Sequence, residues 1–390
     1  MKKRLLTLIS LLLCFLLSAC GNLSTMTRYF LLKESPASSS YLSTAADLPP
    51  QTPSQTAELP LYASHSYFIP TLTEKERTIF LALYEGVMAF QKTIPLPVSA
   101  SSEEVNDLMS FLCHECPELL QLDSAWTERT NLFGSVTTVT PSYTMDKTTY
   151  EVKRSEIEGL LSHFHTQLSG ADSYQIELTL FHHIINNCVY SLDAPDCQNA
   201  WGALIGGAAK CDGRAKALVW GLRSFGITSS VITGSNHAWV IAQIGGYHYN
   251  VDPTYDDNET NGIQQPCPYA HFNIPESCIA ANPYPADELF IRRGYPSTVR
   301  WDHNYHVRNG LWIPSGQNAE TPFYTQLEAA AAAGSGCINL RFESAADYSA
   351  ASVASQNWIQ TFLNGRGIGC NITSYDYSTL NTLFLHLTFQ

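Results

Sequence analysis

The stretch Asn236-His237-Ala238-Trp239-Val240-Ile241-Ala242-Gln243-Ile244-Gly245-Gly246-Tyr247-His248-Tyr249-Asn250-Val251-Asp252-Pro253 decides how this 390-residue chain is read. Ala238 to Ile244 and Tyr247 to Val251 are short β-rich runs, and Gly245-Gly246 between them supplies two turn positions that tolerate positive φ. The pattern predicts a hairpin. Pairing Ile244 with Tyr247 sets Trp239 opposite Asp252 and His237 opposite Thr254, so His237 and Asp252 become diagonal neighbours on one face. Such diagonals lie roughly 7–8 Å apart at the backbone, close enough for a carboxylate to hold one imidazole nitrogen and leave the other for a nucleophile.

A nucleophile of the right kind stands upstream. Gly206-Gly207 breaks the chain just before Ala208-Ala209-Lys210-Cys211-Asp212-Gly213, and Ala215 to Leu222 then places apolar residues at helical spacing. Cys211 is therefore expected to open a helix, where free N–H groups and the positive end of the helix dipole favour the thiolate that attacks carbon. Cys211, His237 and Asp252 read in that order as nucleophile, base and orienter.

The N-terminus bounds the setting. Met1-Lys2-Lys3-Arg4 is basic, Leu5 to Leu17 is apolar but too short to span a bilayer, and Leu17-Ser18-Ala19-Cys20 is a small-residue cleavage site ending in Cys. An exported protein is expected. The pattern resembles the lipobox of bacterial lipoproteins, which implies cleavage before Cys20, lipid on Cys20, and anchoring at the extracellular face of a bacterial membrane. An ordinary signal peptide with a chance Cys is the alternative. Losing Lys2, Lys3 and Arg4 with the leader takes the 22 basic residues to 19, against 35 acidic ones. That balance argues against nucleic acid and against electrostatic adhesion to anionic lipid.

Export makes the cysteine count informative. Excluding Cys14 and Cys20, nine remain: Cys113, Cys116, Cys188, Cys197, Cys211, Cys267, Cys278, Cys337 and Cys370. Pairing sequence neighbours (113 with 116, 188 with 197, 267 with 278, 337 with 370) leaves Cys211 single, as a nucleophile must be. Buried reduced cysteines are an equally ordinary outcome.

Along the chain, 1–20 reads as the leader, and 21–60, rich in Ser, Thr, Ala and Pro, as a flexible tether. Residues 61–150 read as an N-terminal α/β region. There Thr73-Glu74-Lys75-Glu76 marks a helix start, Val105 to Leu112 a second helix, and Phe133 to Tyr143 a strand. The core is expected over 151–310, with helices around Ile157 to Leu168 and Tyr174 to Tyr190. Pro314 and Gly316-Gln317-Asn318 suggest a linker, and 316–390 a small C-terminal α+β domain, because helical and strand patterns alternate there.

Gln198-Asn199-Ala200-Trp201-Gly202, Cys211-Asp212-Gly213-Arg214-Ala215, His237-Ala238-Trp239 and Tyr249-Asn250-Val251-Asp252-Pro253-Thr254 together resemble the bacterial transglutaminase-like superfamily. The resemblance implies an α+β fold with a papain-like transglutaminase core, in which a helix carrying Cys packs on an antiparallel sheet bearing His and Asp. It extends more weakly to Glu115-Cys116-Pro117-Glu118 and His271-Phe272-Asn273-Ile274. The family usually has Tyr where Arg214 stands and a hydrophobic residue where Lys210 stands. By alignment to related thiol enzymes, in which a side-chain amide before the nucleophile helix joins the Cys N–H in stabilising an oxyanion, Gln198 is the candidate donor. The plain alternative is that Gln198 bonds local backbone. Asp256 and Asp257 could shape the cleft, although acidic loop residues are more often simply solvated.

No cofactor and no metal are expected. His163, His165, His182 and His183 form no His-Glu-x-x-His pattern, and Cys113-His114-Glu115-Cys116 has no second pair at zinc-ribbon distance. Three functions fit: a thiol hydrolase acting on amide, above all peptide, bonds; a transglutaminase crosslinking glutamine to amines; and an inactive surface binding module. The expected partners are a protein or peptide substrate, wall peptide among the candidates, and the membrane through Cys20.

Overall fold

The computed structural model describes residues 63–257, 266–281 and 285–390; the leader, Cys20 and the 21–60 tether lie outside the described residues. Helix α1 (Glu74–Met88) starts as its sequence dictates, with the Thr73 hydroxyl accepting the Glu76 N–H while the Glu76 carboxylate accepts the Thr73 N–H. After strand β1 (Ile94–Ala100), Ser101 and Glu104 repeat that reciprocal cap at α2 (Ser102–Glu115). Strands β2 (Leu122–Thr130) and β3 (Val136–Tyr143) form an antiparallel hairpin, and β3 also pairs with β1. The strand expected from Phe133 thus begins later. Asn131 Oδ1 accepts the N–H groups of Phe133 and Ser135 at 2.9 and 3.1 Å, which folds Leu132-Phe133-Gly134 into the hairpin turn.

Helices α3 (Lys147–Gln167) and α4 (Ser173–Asn187) lead to β4 (Val189–Tyr190), α5 (Ala200–Leu204) and β5 (Ala208–Ala209), with β4 and β5 paired in parallel. Helix α6 (Cys211–Ser224) follows, then the antiparallel sheet of β6 (Ser229–Gly234), β7 (His237–Ile244) and β8 (Tyr247–Val251). The β7–β8 register is the one expected, running from Ile244 opposite Tyr247 to Val240 opposite Val251. Gly245 and Gly246 have φ of 58° and 86°, the left-handed pair that a two-residue hairpin turn requires. Short helices α7 (Glu276–Ala281), α8 (Glu288–Arg292) and α9 (Tyr305–Arg308) bring the chain to β9 (Trp312–Ile313). The C-terminal region adds α10 (Glu320–Ala333), β10 (Ser335–Phe342), α11 (Ala345–Arg366), β11 (Cys370–Tyr377) and β12 (Thr382–Phe389), with strand order β11-β12-β10-β9. The final strand starts at Thr382, after Ser378–Leu380 forms a 3-10 turn. The class is mixed α+β with several sheets.

The central sheet is buried on both faces. Ala238, Val240 and Ala242 pack with Leu218 and Val219 of α6, whereas Trp239 and Ile241 pack with Phe80 of α1 and Leu108 of α2. A strand between two cores has no water-facing side, which is why Ala238 to Ile244 reads as an almost continuous apolar run. The far end of α6 is pinned by Arg223, whose guanidinium donates to the Glu115 carbonyl and carboxylate at 2.5 Å each and to Ser229 O at 2.8 Å. The third cluster, around Phe323, Leu340 and Leu387, lies within the C-terminal sheet and its helices.

All nine cysteines of the described residues are free, so none of the sequence-neighbour disulfides forms. Cys337 and Cys370 stand on β10 and β11, which flank β12. Two strand spacings separate them, roughly 10 Å, whereas a disulfide needs Cα atoms within about 7 Å. Cys113 lies on α2 and Cys116 is its C-terminal cap, so three residues separate them on a helical path, where Cβ atoms sit about 5–6 Å apart. The Cys197 thiol instead donates to Leu192 O at 3.4 Å and that of Cys188 to Val189 O at 3.6 Å.

Candidate active site

Cys211 occupies the first position of α6, and its first-turn N–H groups have no partner within the helix. Gly213, two residues on, is required by packing: a Cβ there would stand 2.5 Å from Cys197 O and 3.0 Å from Asn199 O. That close approach lets the 197–199 loop lie along the start of α6. Lys210 N donates to Cys197 O at 3.0 Å, and the Lys216 ammonium reaches Gln198 O at 3.2 Å and Asp212 Oδ2 at 2.9 Å.

The base comes from the other side of the cleft. His237 opens β7 directly after Ser235 and Asn236, which turn between β6 and β7 with φ of 49° and 67°. Asn adopts this left-handed conformation readily, while for Ser it costs about 1–2 kcal/mol, strain held at the rim of the site. Asp252 follows the last residue of β8. Its Oδ2 lies 2.5 Å from His237 Nε2, and its Oδ1 accepts the N–H groups of Thr254 and Tyr255 at 2.8 and 3.1 Å. With Nε2 committed to the carboxylate, Nδ1 is the nitrogen left for a second partner, and the Cys211 thiol is near enough to the ring to act on its charge. The structure therefore brings Cys211, His237 and Asp252 together.

Their electrostatics are coupled. Burial works against the His237 imidazolium, but Asp252 and Cys211 outweigh it and raise its pKa to about 10. Burial likewise opposes ionisation of Asp252, yet His237, His271 and the Tyr255 N–H hold its carboxyl below the usual range. A cleft of about 510 Å³ opens onto the imidazole, lined by Tyr190, Ser235, Asn236, His237, Thr254, Tyr255 and Asp257. The Tyr255 ring lies 4.4 Å from that of His237 and shields one side of it.

Gln198 sits beside this site on the loop that packs along α6, and its Oε1 accepts from Lys210 Nζ at 3.1 Å. Lys210 thus engages the carbonyl end of the amide. Cys20 lies outside the described residues.

The reading of Asp256 and Asp257 as solvated loop residues is overturned. Asp256 is buried and accepts His271 N at 3.0 Å and His271 Nδ1 at 3.2 Å, and the half-buried Asp257 turns its carboxylate inward, where Oδ2 pairs with Arg214 at 2.5 Å. They are drawn inward because basic groups from distant segments wait inside, and a buried charge needs such a partner. Sequence reasoning also passed over Tyr255 and the Ser235-Asn236 turn as cleft walls. Their adjacency to Asp252 and His237 was the available signal.

Among the described residues no group of three or more His, Cys, Asp or Glu side chains could hold a metal ion, and no helix is long and apolar enough to cross a membrane.

No known family matches the chain as a whole, and no curated protein matches its sequence. Among solved structures, a protein of Cytophaga hutchinsonii provisionally named a cysteine protease shares 17% identity over 33% of this chain and 61% of its own, with a TM-score of 0.23. A structure named TGase shares 10% identity over 58% of this chain and 59% of its own, with a TM-score of 0.26. Menin, whose structure is described with a binding site for the MLL protein, shares 14% identity over 50% of this chain and 39% of its own, at a TM-score of 0.24. The chain thus spans about three fifths of the length of the first two.

Proposed function

We propose that this chain is an exported, lipid-anchored thiol enzyme of the transglutaminase-like kind, which hydrolyses amide bonds, above all peptide bonds, through an acyl-enzyme. The carrying observation is the imidazole of His237 bonded to the Asp252 carboxylate and raised in pKa by both that carboxylate and the nearby Cys211 thiol. The thiol proton rests on His237, and Cys211 Sγ bonds to the carbonyl carbon as the C=O electron pair moves onto oxygen. His237 then gives that proton to the departing amine as the C–N bond breaks. Water enters the same cleft, loses a proton to His237 and attacks the thioester, releasing the acid and restoring the thiol. Asp252 holds the ring in orientation throughout and stabilises its charged form. Gln198 Nε2 and the Cys211 N–H would stabilise the oxyanion. The leader pattern ending in Cys20 supports export and anchoring.

Iodoacetamide labelling followed by peptide mapping tests the nucleophile. Cys211 is expected to label preferentially and pH-dependently, with the preference lost in His237→Ala; labelling like any other thiol would favour a binding module. A glutamine-containing peptide offered with and without a primary amine then separates water from amine as acceptor. Amine incorporation would make the chain a crosslinking enzyme.

A further inference from the structure

We propose that Arg214 is a positioning residue that sets the separation between the Cys211 thiol and the His237–Asp252 pair. The inference rests on the function proposed above. Arg214 lies one helical turn after Cys211, so the two side chains leave the same side of α6. Its guanidinium is fully buried and forks to three acceptors on two segments: NH1 donates to Pro253 O at 3.1 Å, and NH2 to Cys188 O at 2.6 Å and Asp257 Oδ2 at 2.5 Å.

Each of these partners belongs to a wall of the cleft. Pro253 is bonded directly to Asp252, so one hydrogen bond joins the nucleophile helix to the backbone of the orienting carboxylate. Cys188 immediately precedes β4, whose Tyr190 lines the cleft and lies 5.8 Å from the Arg214 guanidinium, ring centre to carbon. Asp257 lines the cleft from the far end of the Asp252 loop. A guanidinium is suited to this because its planar fork bonds several acceptors in fixed directions. Arg214 touches neither the reacting atoms nor His237. It acts by holding the two halves of the site in register, and a misplacement of about 1 Å costs such a site roughly 100-fold.

The test compares Arg214→Met and Asp257→Asn with the wild-type full chain. The readout is the ratio of Cys211 iodoacetamide labelling at pH 6 to that at pH 10, alongside circular dichroism. A sulfur kept beside an imidazolium reacts well at pH 6, whereas one drawn away from it loses that advantage, so Arg214→Met should lower the ratio by at least about 10-fold. Asp257→Asn keeps both carbonyl bonds and should lower it by about 3-fold. A merely structural residue would change the melting temperature and leave the ratio alone. A folded Arg214→Met with the wild-type ratio overturns the clamp; if that variant does not fold, an unchanged ratio in Asp257→Asn overturns it. A wild-type Cys211 that labels no faster than Cys337 at pH 6 sinks the enzyme reading, and the clamp with it.

Discussion

Two histidine–aspartate pairs stand at the same corner of the molecule, yet their carboxyls are pushed in opposite directions. Asp252 faces His237 and also receives two backbone N–H groups, and its carboxyl is held below the usual range despite burial. Asp256, four residues on, takes both bonds from His271, and burial together with the nearby Asp252 charge pushes its carboxyl up. The pairs also interlock, since Asp252 N donates to His271 O at 3.1 Å. Residue types are identical; what differs is how many positive groups converge and whether the imidazole meets a cleft. His237 does, while His271 is covered by the rings of Tyr255 and Tyr377. In the proposed mechanism the first pair moves a proton, while the second ties a loop inward.

The largest expected effect isolates the first pair from everything else. Cys211→Ala should lower peptide turnover by about 10⁴-fold or more, and the double variant with His237→Ala should be little worse, because members of such a unit are strongly non-additive. Additive losses in steady-state assays would mean the two groups do not work together.

Next, Asp252→Asn should reduce turnover by about 10³- to 10⁴-fold through loss of imidazole orientation, while Asp256→Asn should leave it within about 10-fold. Equal losses would erase the functional distinction between the pairs. Urea unfolding against pH sharpens it further, because the carboxyl shifts have opposite signs. Asp252 titrates below its unfolded value of about 3.9, so its ionised form stabilises the fold above that pH, and this is lost as pH falls through the folded value. Asp256 titrates above it, so its contribution is full below about 3.9 and fades as pH rises through the folded value. From acid toward neutral pH, Asp252→Asn should therefore lose ground to the wild type while Asp256→Asn gains on it. Parallel curves would contradict the environments described.

The smallest effect calibrates the others. Lys75 and Glu104 form a surface ion pair at 2.7 Å, with side chains 43% and 37% exposed. Solvent and salt screen such a pair, so Lys75→Ala should cost only about 0–1 kcal/mol in the same urea experiment. A larger cost would mean that this surface contact supports packing beyond its charge.

The site was more legible than its supports. The Gly245-Gly246 turn and the alternation around it sufficed to give the register that aligns His237 with Asp252, and the glycine break before Cys211 located the start of α6. The roles of Arg214, Asp256 and His271 were not legible. Arg214 meets partners 26, 39 and 43 residues away, and nothing local distinguishes a guanidinium that folds inward from one that points to water. The cysteine pairing failed for the same reason: proximity along the chain said nothing about the strand that intervenes between Cys337 and Cys370.

By itself, then, the sequence determined where the capped helix at Thr73 and the Cys211 helix begin and which residues share a hairpin face, because turn geometry, capping and side-chain period act over a few bonds. Tertiary structure alone decided that α6 meets that hairpin with sulfur beside imidazole, that two loop aspartates are drawn inward, and that nine thiols stay apart. Those outcomes depend on how segments pack across the core, where desolvation makes each buried charge seek whichever partner another segment delivers.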